Sequence, residues 1–173
     1  QSLEKLAFAN LPPKEFWSRF AIALREATGA AIVLGVHRAA ADQPWRVIAS
    51  SVDGPQARKL SGEEFVKMAP DLADALCRGG QFPRRLQMSD NRETLAVAAA
   101  VSSRREGEQA AVLALCSPSA QEATLDAQIR AAAMVPATCE ARIATDRAET
   151  DRRNLTSVLD LVAVTNAEEK FGA

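Results

Sequence analysis

Two apolar segments joined by a charged stretch constrain the fold of this chain more than any other feature. They lie between Thr94 and Leu115, in the run TLAVAAAVSSRREGEQAAVLAL. In the first segment, Leu95, Val97 and Val101 fall on one side of an extended strand, and alanines fall on the other. Because neither side is polar, the pattern predicts a β-hairpin that is buried on both faces of a sheet.

The small residues of the first segment predict a close helix–sheet contact. Ala96, Ala98 and Ala100 share one side of the strand, where their short side chains leave room for a helix. The later segment EATLDAQIRAAAMV is itself rich in alanine, and we expect it to form that helix. A leucine in place of Ala98 or Ala100 should then overpack the contact.

The first part of the chain predicts a helix followed by a second hairpin. The helix lies in LPPKEFWSRFAIALREATG, where Pro13 suits the first turn and Gly29 suits the end. Phe16 and Phe20 recur at helical spacing and indicate a strongly apolar face. The alternation in AAIVLGVHRAA and WRVIASS predicts two strands across residues 31–51.

The region between the two hairpins predicts helices and one short strand. SGEEFVKMAPDLADALCRGG has a helical pattern, and we expect Pro70 to divide it into two short helices. Ser61 and Glu64 have the spacing of a capping box. QFPRRLQM predicts an edge strand, because Pro83 is tolerated better at an edge than in the centre of a sheet.

The C-terminal third predicts a long helix, kinked or broken at Pro136. A helix over residues 137–168 would be about 50 Å long, more than a domain of this size needs. Leu155, Leu159 and Val162 step by four and three residues, which is typical of a coiled-coil seam. We therefore expect a homodimer formed through this helix.

The order of these elements resembles that of a GAF domain over roughly residues 11–148. The resemblance implies an α+β fold with an antiparallel five- or six-stranded sheet flanked by helices, followed here by a long C-terminal helix. The first and last helices would cover one face, and the crossover helices and loops would form a ligand pocket over the other. A PAS domain is the second choice, because the opening helix is unusually strong for that family.

The same resemblance implies two segments and a regulatory role. Residues 1–148 would form the GAF-like domain, and residues 149–173 a linking helix that resembles the opening of a following domain. We expect a non-catalytic sensory or interaction module of a larger, bacterial-type signalling protein, because the chain starts at Gln1 and stops within a helical pattern. Its ligand would be an unknown small molecule, and the predicted pocket residues are Leu95, Val97, Val101, Phe82 and Arg84.

The residue types argue against several chemistries. Cys77, Cys116 and Cys139 are scattered, and His37 is the single histidine, so we predict no catalytic group, metal site or cofactor. The alternatives are a redox enzyme on the same fold, of the free-methionine sulfoxide reductase type, and a ligand-free structural spacer. The cysteines match that enzyme poorly, and neither the cyclic-nucleotide signature of some GAF domains nor a bilin-attaching Cys beside a His is found.

The composition of the chain excludes some classes of binding partner and indicates a cellular location. The net charge of −1 offers no electrostatic excess for nucleic acid, and the apolar segments are too short for membrane insertion. Hydrophobic residues make up 47% and charged residues 25% of the chain, which is typical of a soluble globular domain. With an odd number of cysteines and no paired spacing, we expect a cytoplasmic location.

Overall fold

The computed structural model describes residues 2–102 and 106–171, with side chains as far as residue 158. Five helices and five strands occupy these residues. In chain order they are α1 (Leu3–Ala7), α2 (Pro13–Thr28), β1 (Ile32–Arg38), β2 (Arg46–Val52), α3 (Gly54–Lys59), α4 (Gly62–Cys77), β3 (Arg84–Gln87), β4 (Glu93–Val101), β5 (Gln109–Cys116) and α5 (Glu122–Phe171).

The strands form one antiparallel sheet in the order β2-β1-β5-β4-β3. The predicted α+β class is confirmed, with five strands in the described residues. Both predicted hairpins are present, and β3 lies at an edge as expected. The two apolar segments pair in the centre, where Leu95 faces Cys116 and Ala98 faces Leu113 across the β4–β5 ladder.

The alanine side of β4 is covered by α4. Ala96 and Ala98 belong to a buried cluster that includes Phe65 and Ala69 of α4. The expectation that the alanine-rich C-terminal segment covers this side is therefore wrong. Helix α4 has its own small residues at helical spacing. This spacing was not recognised in the sequence because the segment was expected to divide at Pro70. Ala100 is exposed, so burial on both faces extends only as far as Ala99.

On the opposite side of the sheet, α2 packs against β1 and β2. Val33, Val97 and Ala114 share this side through their cross-strand register. Gly35 lies on the same side, and a Cβ built there would be 3.1 Å from Cε3 of Trp17. A side chain here would require the indole to shift by a few tenths of an ångström, so the glycine allows the indole to lie directly against the strand.

Two features of α4 differ from the sequence expectation. The helix continues through Pro70 from Gly62 to Cys77. Val66, whose carbonyl loses its helical N–H donor at Pro70, is exposed like Pro70, so water can supply that hydrogen bond. The capping box at Ser61 and Glu64 does not form, because both side chains bond residues of the β3–β4 turn instead. Pro136 likewise lies inside α5.

The chain divides into two compact units, residues 1–139 and residues 140–173. The first unit contains the whole sheet and the first turns of α5, where Leu125 and Ile129 are buried. The second unit is helical, with residues 141–143 half-buried and residues 144–158 exposed. The predicted segment boundary between residues 148 and 149 stays a prediction.

Candidate functional site

A groove with a volume of about 800 Å³ opens between β1, β2, α3, the start of α4 and the β3–β4 turn. It lies entirely within the first unit. Fourteen residues from five neighbouring segments line it: Ile32, Val52, Gly54, Ala57, Arg58, Ser61, Gly62, Glu63, Glu64, Val66, Lys67, Ser89, Asp90 and Arg92. A volume of this size is in the usual range for small-molecule sites.

The base of the groove depends on a glycine at the first turn of α4. A Cβ built on Gly62 would be 2.6 Å from Cδ1 of Ile32 and 3.0 Å from Cβ of Ala57. The helix start therefore lies in direct contact with β1 and α3. This contact brings an apolar strand residue, Ile32, to the groove surface beside the polar start of α4.

Ser61, just before α4, and Glu64 in its first turn connect the groove wall to the β3–β4 turn. The Ser61 hydroxyl donates to the Asp90 carboxylate at 2.5 Å, and this bond holds the pKa of Asp90 below its usual value. The Glu64 carboxylate accepts from the backbone N–H of Ser89 at 3.0 Å and from its hydroxyl at 2.8 Å. These bonds join residues far apart in sequence into one rim.

The rim includes two non-glycine residues in left-handed backbone conformations. Ser61 has φ = 56° and Asn91 has φ = 65°. Asparagine adopts this region readily, but serine rarely does. The bond from Ser61 to Asp90 holds the serine in place, and strained residues of this kind cluster at ligand clamps and switch regions.

Arg92 fixes the remaining side of the rim. Its guanidinium donates to the backbone carbonyls of Arg58 at 2.9 Å and Lys59 at 2.7 Å, and it pairs with Asp90 at 3.2 Å. The cation therefore satisfies the carbonyls at the end of α3.

The predicted pocket residues lie elsewhere. Leu95, Val97 and Val101 are buried on the α2 side of the sheet, and Phe82 is buried in the cluster beneath α4. Arg84 is exposed on β3. None of the five lines the groove, and a ligand role for them stays a prediction. The groove residues were not predicted from the sequence. Many of them belong to two polar segments, SGEE and SDNR, which are distant in the chain and meet only when it folds.

The cysteines and the histidine also lie outside the groove. Cys77 is exposed, whereas Cys116 and Cys139 are buried, and all three are free thiols. Burial raises the pKa of the Cys116 thiol to about 12. His37 Nε2 lies 2.5 Å from a carboxylate oxygen of Glu108 at the end of β1. Within residues 2–102 and 106–158, no group of three or more His, Cys, Asp or Glu side chains could hold a metal ion.

The predicted dimer seam is only partly visible. Leu155 is 64% exposed and the neighbouring Val158 is 59% exposed. The side chains of Leu159 and Val162 lie outside the described residues. A dimer through this helix therefore stays a prediction.

A polar cluster links the C-terminal part of α4 to the C-terminal end of β1, whereas the groove lies at the N-terminal ends of these two elements. Arg38 donates to Asp74 at 2.9 Å and to Gln109 at 2.6 Å, and its guanidinium carbon lies 4.5 Å from the ring centroid of Trp45. The Trp45 indole N–H also donates to Asp74 at 2.9 Å. This bond, with the nearby charges of Arg38 and Arg78, lowers the pKa of Asp74 against an opposing effect of desolvation.

Acidification should weaken this cluster. Because the folded-state pKa of Asp74 is lowered, its contribution is present above the unfolded value near 3.8 and is lost as pH falls through the folded value. The Asp74 side chain is 39% exposed, so solvent screening limits the effect to below about 1 kcal/mol. Denaturant melts from pH 7 to pH 3 should show a smaller loss for Asp74→Asn than for the original chain. Equal losses would contradict the prediction.

Thr94 is a buried polar residue beside the alanine side of β4. Its side-chain oxygen has no hydrogen-bond partner among the described residues, and the residue is 0% exposed. Thr94→Val should therefore stabilise the fold by about 1 kcal/mol, because valine keeps the shape and removes the unpaired hydroxyl. Denaturant midpoints measure this effect, and Thr94→Ser, which keeps the hydroxyl, is the control. A destabilised valine variant would mean that the hydroxyl has a partner.

Comparison with known proteins finds a likeness to solved structures. The chain resembles a solved GAF domain from Pseudomonas syringae pv. tomato, from a protein described as a "putative sensor histidine kinase". The likeness covers 87% of each chain, with a TM-score of 0.49 and 10% sequence identity. No protein-family model and no curated protein matches.

The arrangement of the elements decides the fold on its own. Five antiparallel strands carry an opening helix on one face and a crossover helix on the other. The fold is GAF-like. The opening helix α2 has 16 residues and packs against β1 and β2. Among the described residues, no helix is both long and apolar enough to cross a membrane.

Proposed function

We propose that this GAF-like domain is a non-catalytic sensory or interaction module that binds a small molecule within a larger regulatory protein. The groove of about 800 Å³ beside α4 is the observation that supports the proposal. Its walls come largely from the crossover helices α3 and α4 and from the β3–β4 turn. A bound molecule would therefore contact segments that are otherwise connected by the few side-chain hydrogen bonds of the rim. Binding there would stabilise one arrangement of these segments.

A redox enzyme of the methionine sulfoxide reductase type has less support. A reactive cysteine must reach the thiolate form near neutral pH, and burial raises the pKa of Cys116 to about 12. None of the three cysteines lines the groove. A ligand-free spacer is also less favoured, because a filled interior would leave no groove of this size.

Native mass spectrometry of the purified chain, without removal of bound molecules, tests the proposal. A retained small molecule supports a binding module, and loss of that mass in Val66→Trp, which places a bulky side chain in the groove, would locate it. Thr124→Trp, an exposed position at the start of α5, is the control for an added indole. A chain that carries no small molecule and binds none from a metabolite library would favour the spacer.

The same measurement tests self-association. We propose a homodimer through Leu155, Leu159 and Val162, and Leu155→Glu should shift the chain from dimer to monomer because a carboxylate would enter an apolar seam. Leu155 is exposed, so the change leaves the sheet intact. Thr156→Glu adds the same charge one position along the helix and should leave the dimer unchanged. A wild-type monomer, or a dimeric Leu155→Glu variant, would contradict the seam.

A further inference from the structure

We infer that the outer edge of β2 is a docking site for a short, extended and uncharged peptide segment of a partner protein. The segment would add a strand to the sheet and place alternate apolar side chains in the groove. This goes beyond the proposed function, because it assigns a polypeptide partner to the open edge of the sheet.

The backbone groups of Ser50 and Val52 point away from the sheet. The N–H of Asp53 donates to the carbonyl of Ala31 at 2.8 Å, across the start of the β1–β2 ladder. In an antiparallel ladder, every second residue directs both of its backbone groups to the neighbouring strand. Asp53 therefore faces β1, and Ser50 and Val52 face outward. Among the residues that the structure describes, no strand pairs with that outer side. A second main chain supplies matching donors and acceptors along such an edge.

The side chains beside this edge suit an apolar partner residue. Val52 pairs with Ile32 across the ladder, and both line the groove together with Val66 of α4. Val52 is 50% exposed and Val66 is 38% exposed. Residues directly opposite each other in a sheet share one face, so a residue paired with Val52 would direct its side chain to the groove. An apolar side chain there would cover both valines from water, which favours binding.

The charges around the edge favour an uncharged segment. Three cations and three carboxylates line the groove, so its lining has no net charge that would select an acidic or a basic partner. No residue from Val47 to Val52 is charged. The other edge strand, β3, has four residues, of which Arg84 and Arg85 are exposed. Because charged side chains protect a sheet edge from pairing, β2 is the more open of the two edges.

A β-bulge limits the length of the open edge. The ladder register shifts where Val36 pairs with Val47, and Ile48 is the extra residue. A bulge disrupts regular pairing, so the uninterrupted edge is confined to residues 49–52. Two copies of the chain paired over so short an edge would by that contact alone fall short of the roughly 1,200 Å² of a stable interface. A peptide segment fits the edge better, because it gains the groove contacts as well.

A matched set of peptides tests the backbone pairing. The probe is the blocked, fluorescently labelled peptide Thr-Val-Thr-Val-Thr, and its fluorescence anisotropy measures binding to the chain. In the inferred arrangement, the valine side chains face the groove and the valine N–H groups face β2, whereas the threonine N–H groups face away. N-methylation of one valine should weaken binding about fivefold, the effect of losing one net hydrogen bond. N-methylation of the central threonine is the control and should leave binding unchanged.

Two lysine substitutions on β2 locate the binding. Val52→Lys should weaken binding of the probe about tenfold, because it places a charge on the open edge and removes an apolar contact. Val47→Lys is the matched control and should leave binding unchanged. Val47 has the same 50% exposure and lies on the same strand, but beyond the bulge and outside the groove.

Each of four results would overturn the inference. They are a chain that binds no probe, binding that N-methylation of the valines leaves unchanged, equal effects of the two lysine substitutions, and a dimer that Val52→Lys converts to a monomer. The last result would place a second copy of the chain on the edge. A chain that fails the peptide tests but retains a small molecule in the native mass spectrum would keep the proposed function, so the two failures are distinguishable.

Discussion

Phe65→Ala should destabilise the domain by about 3–5 kcal/mol, the largest effect we expect from a single substitution. Phe65 is 0% exposed and lies on the face of α4 that covers the central strands, in one cluster with Leu34, Ala98 and Leu113. Removing the ring leaves a cavity that the rigid sheet cannot fill. Since domains are typically stable by about 5–15 kcal/mol, much of the total would be lost.

Thermal and denaturant melts measure the effect of Phe65→Ala. For a domain of this size, the expected loss corresponds to a melting temperature lower by roughly 6–20 °C. Val66→Ala is the matched control, because Val66 is the next residue on the same helix and is 38% exposed. It should shift stability by less than about 0.5 kcal/mol. A Phe65→Ala variant as stable as that control would mean that α4 does not cover the sheet.

Ala98→Leu should destabilise the domain by about 1–3 kcal/mol through overpacking. Ala98 is 1% exposed beneath α4, which presents Ala69 and Ala73, one helical turn apart, to the same cluster. Small residues on both surfaces allow the helix to approach the sheet closely. A leucine at Ala98 would force the helix away from the strand or the side chain into a strained rotamer.

Ala100→Leu is the control for this packing argument. Ala100 lies on the same side of β4, two residues beyond Ala98, but it is exposed. The same added volume should therefore cost less than about 0.5 kcal/mol there. Denaturant midpoints of the two variants measure the difference. Two midpoints equal to that of the original chain would contradict a close contact at Ala98.

Much of the secondary structure could be predicted because its signals are local. The Pro13 start and Gly29 end of α2 follow from backbone preferences, and Gly29 has the left-handed φ of 65° expected at a helix end. The β4–β5 hairpin follows from side-chain alternation. Pro70 misled the prediction because the cost of a proline depends on whether water reaches the carbonyl that it leaves without a donor.

The candidate site could not be predicted from local signals. Ser61 and Glu64 have the spacing of a capping box, yet Asp90 and Ser89 compete for them in the folded chain. The choice of Leu95, Val97 and Val101 as pocket residues assumed that a bulky apolar strand face meets a ligand. In the structure these residues are buried and do not line the groove, and a ligand role for them stays a prediction.

Local sequence patterns were enough to predict the α+β class, the two hairpins, the edge strand and the opening helix, because alternation, helical spacing and turn residues act between neighbours along the chain. The identity of the helix that covers the alanine side of β4, and the position of the groove, depend on contacts between segments that are distant in the chain. Any helix with a face of small residues could pack closely on the alanine side of β4, and both α4 and the start of α5 have such a face. In the folded chain Gly62 lies against Ile32, and residues of α3, the start of α4 and the β3–β4 turn lie together around the groove.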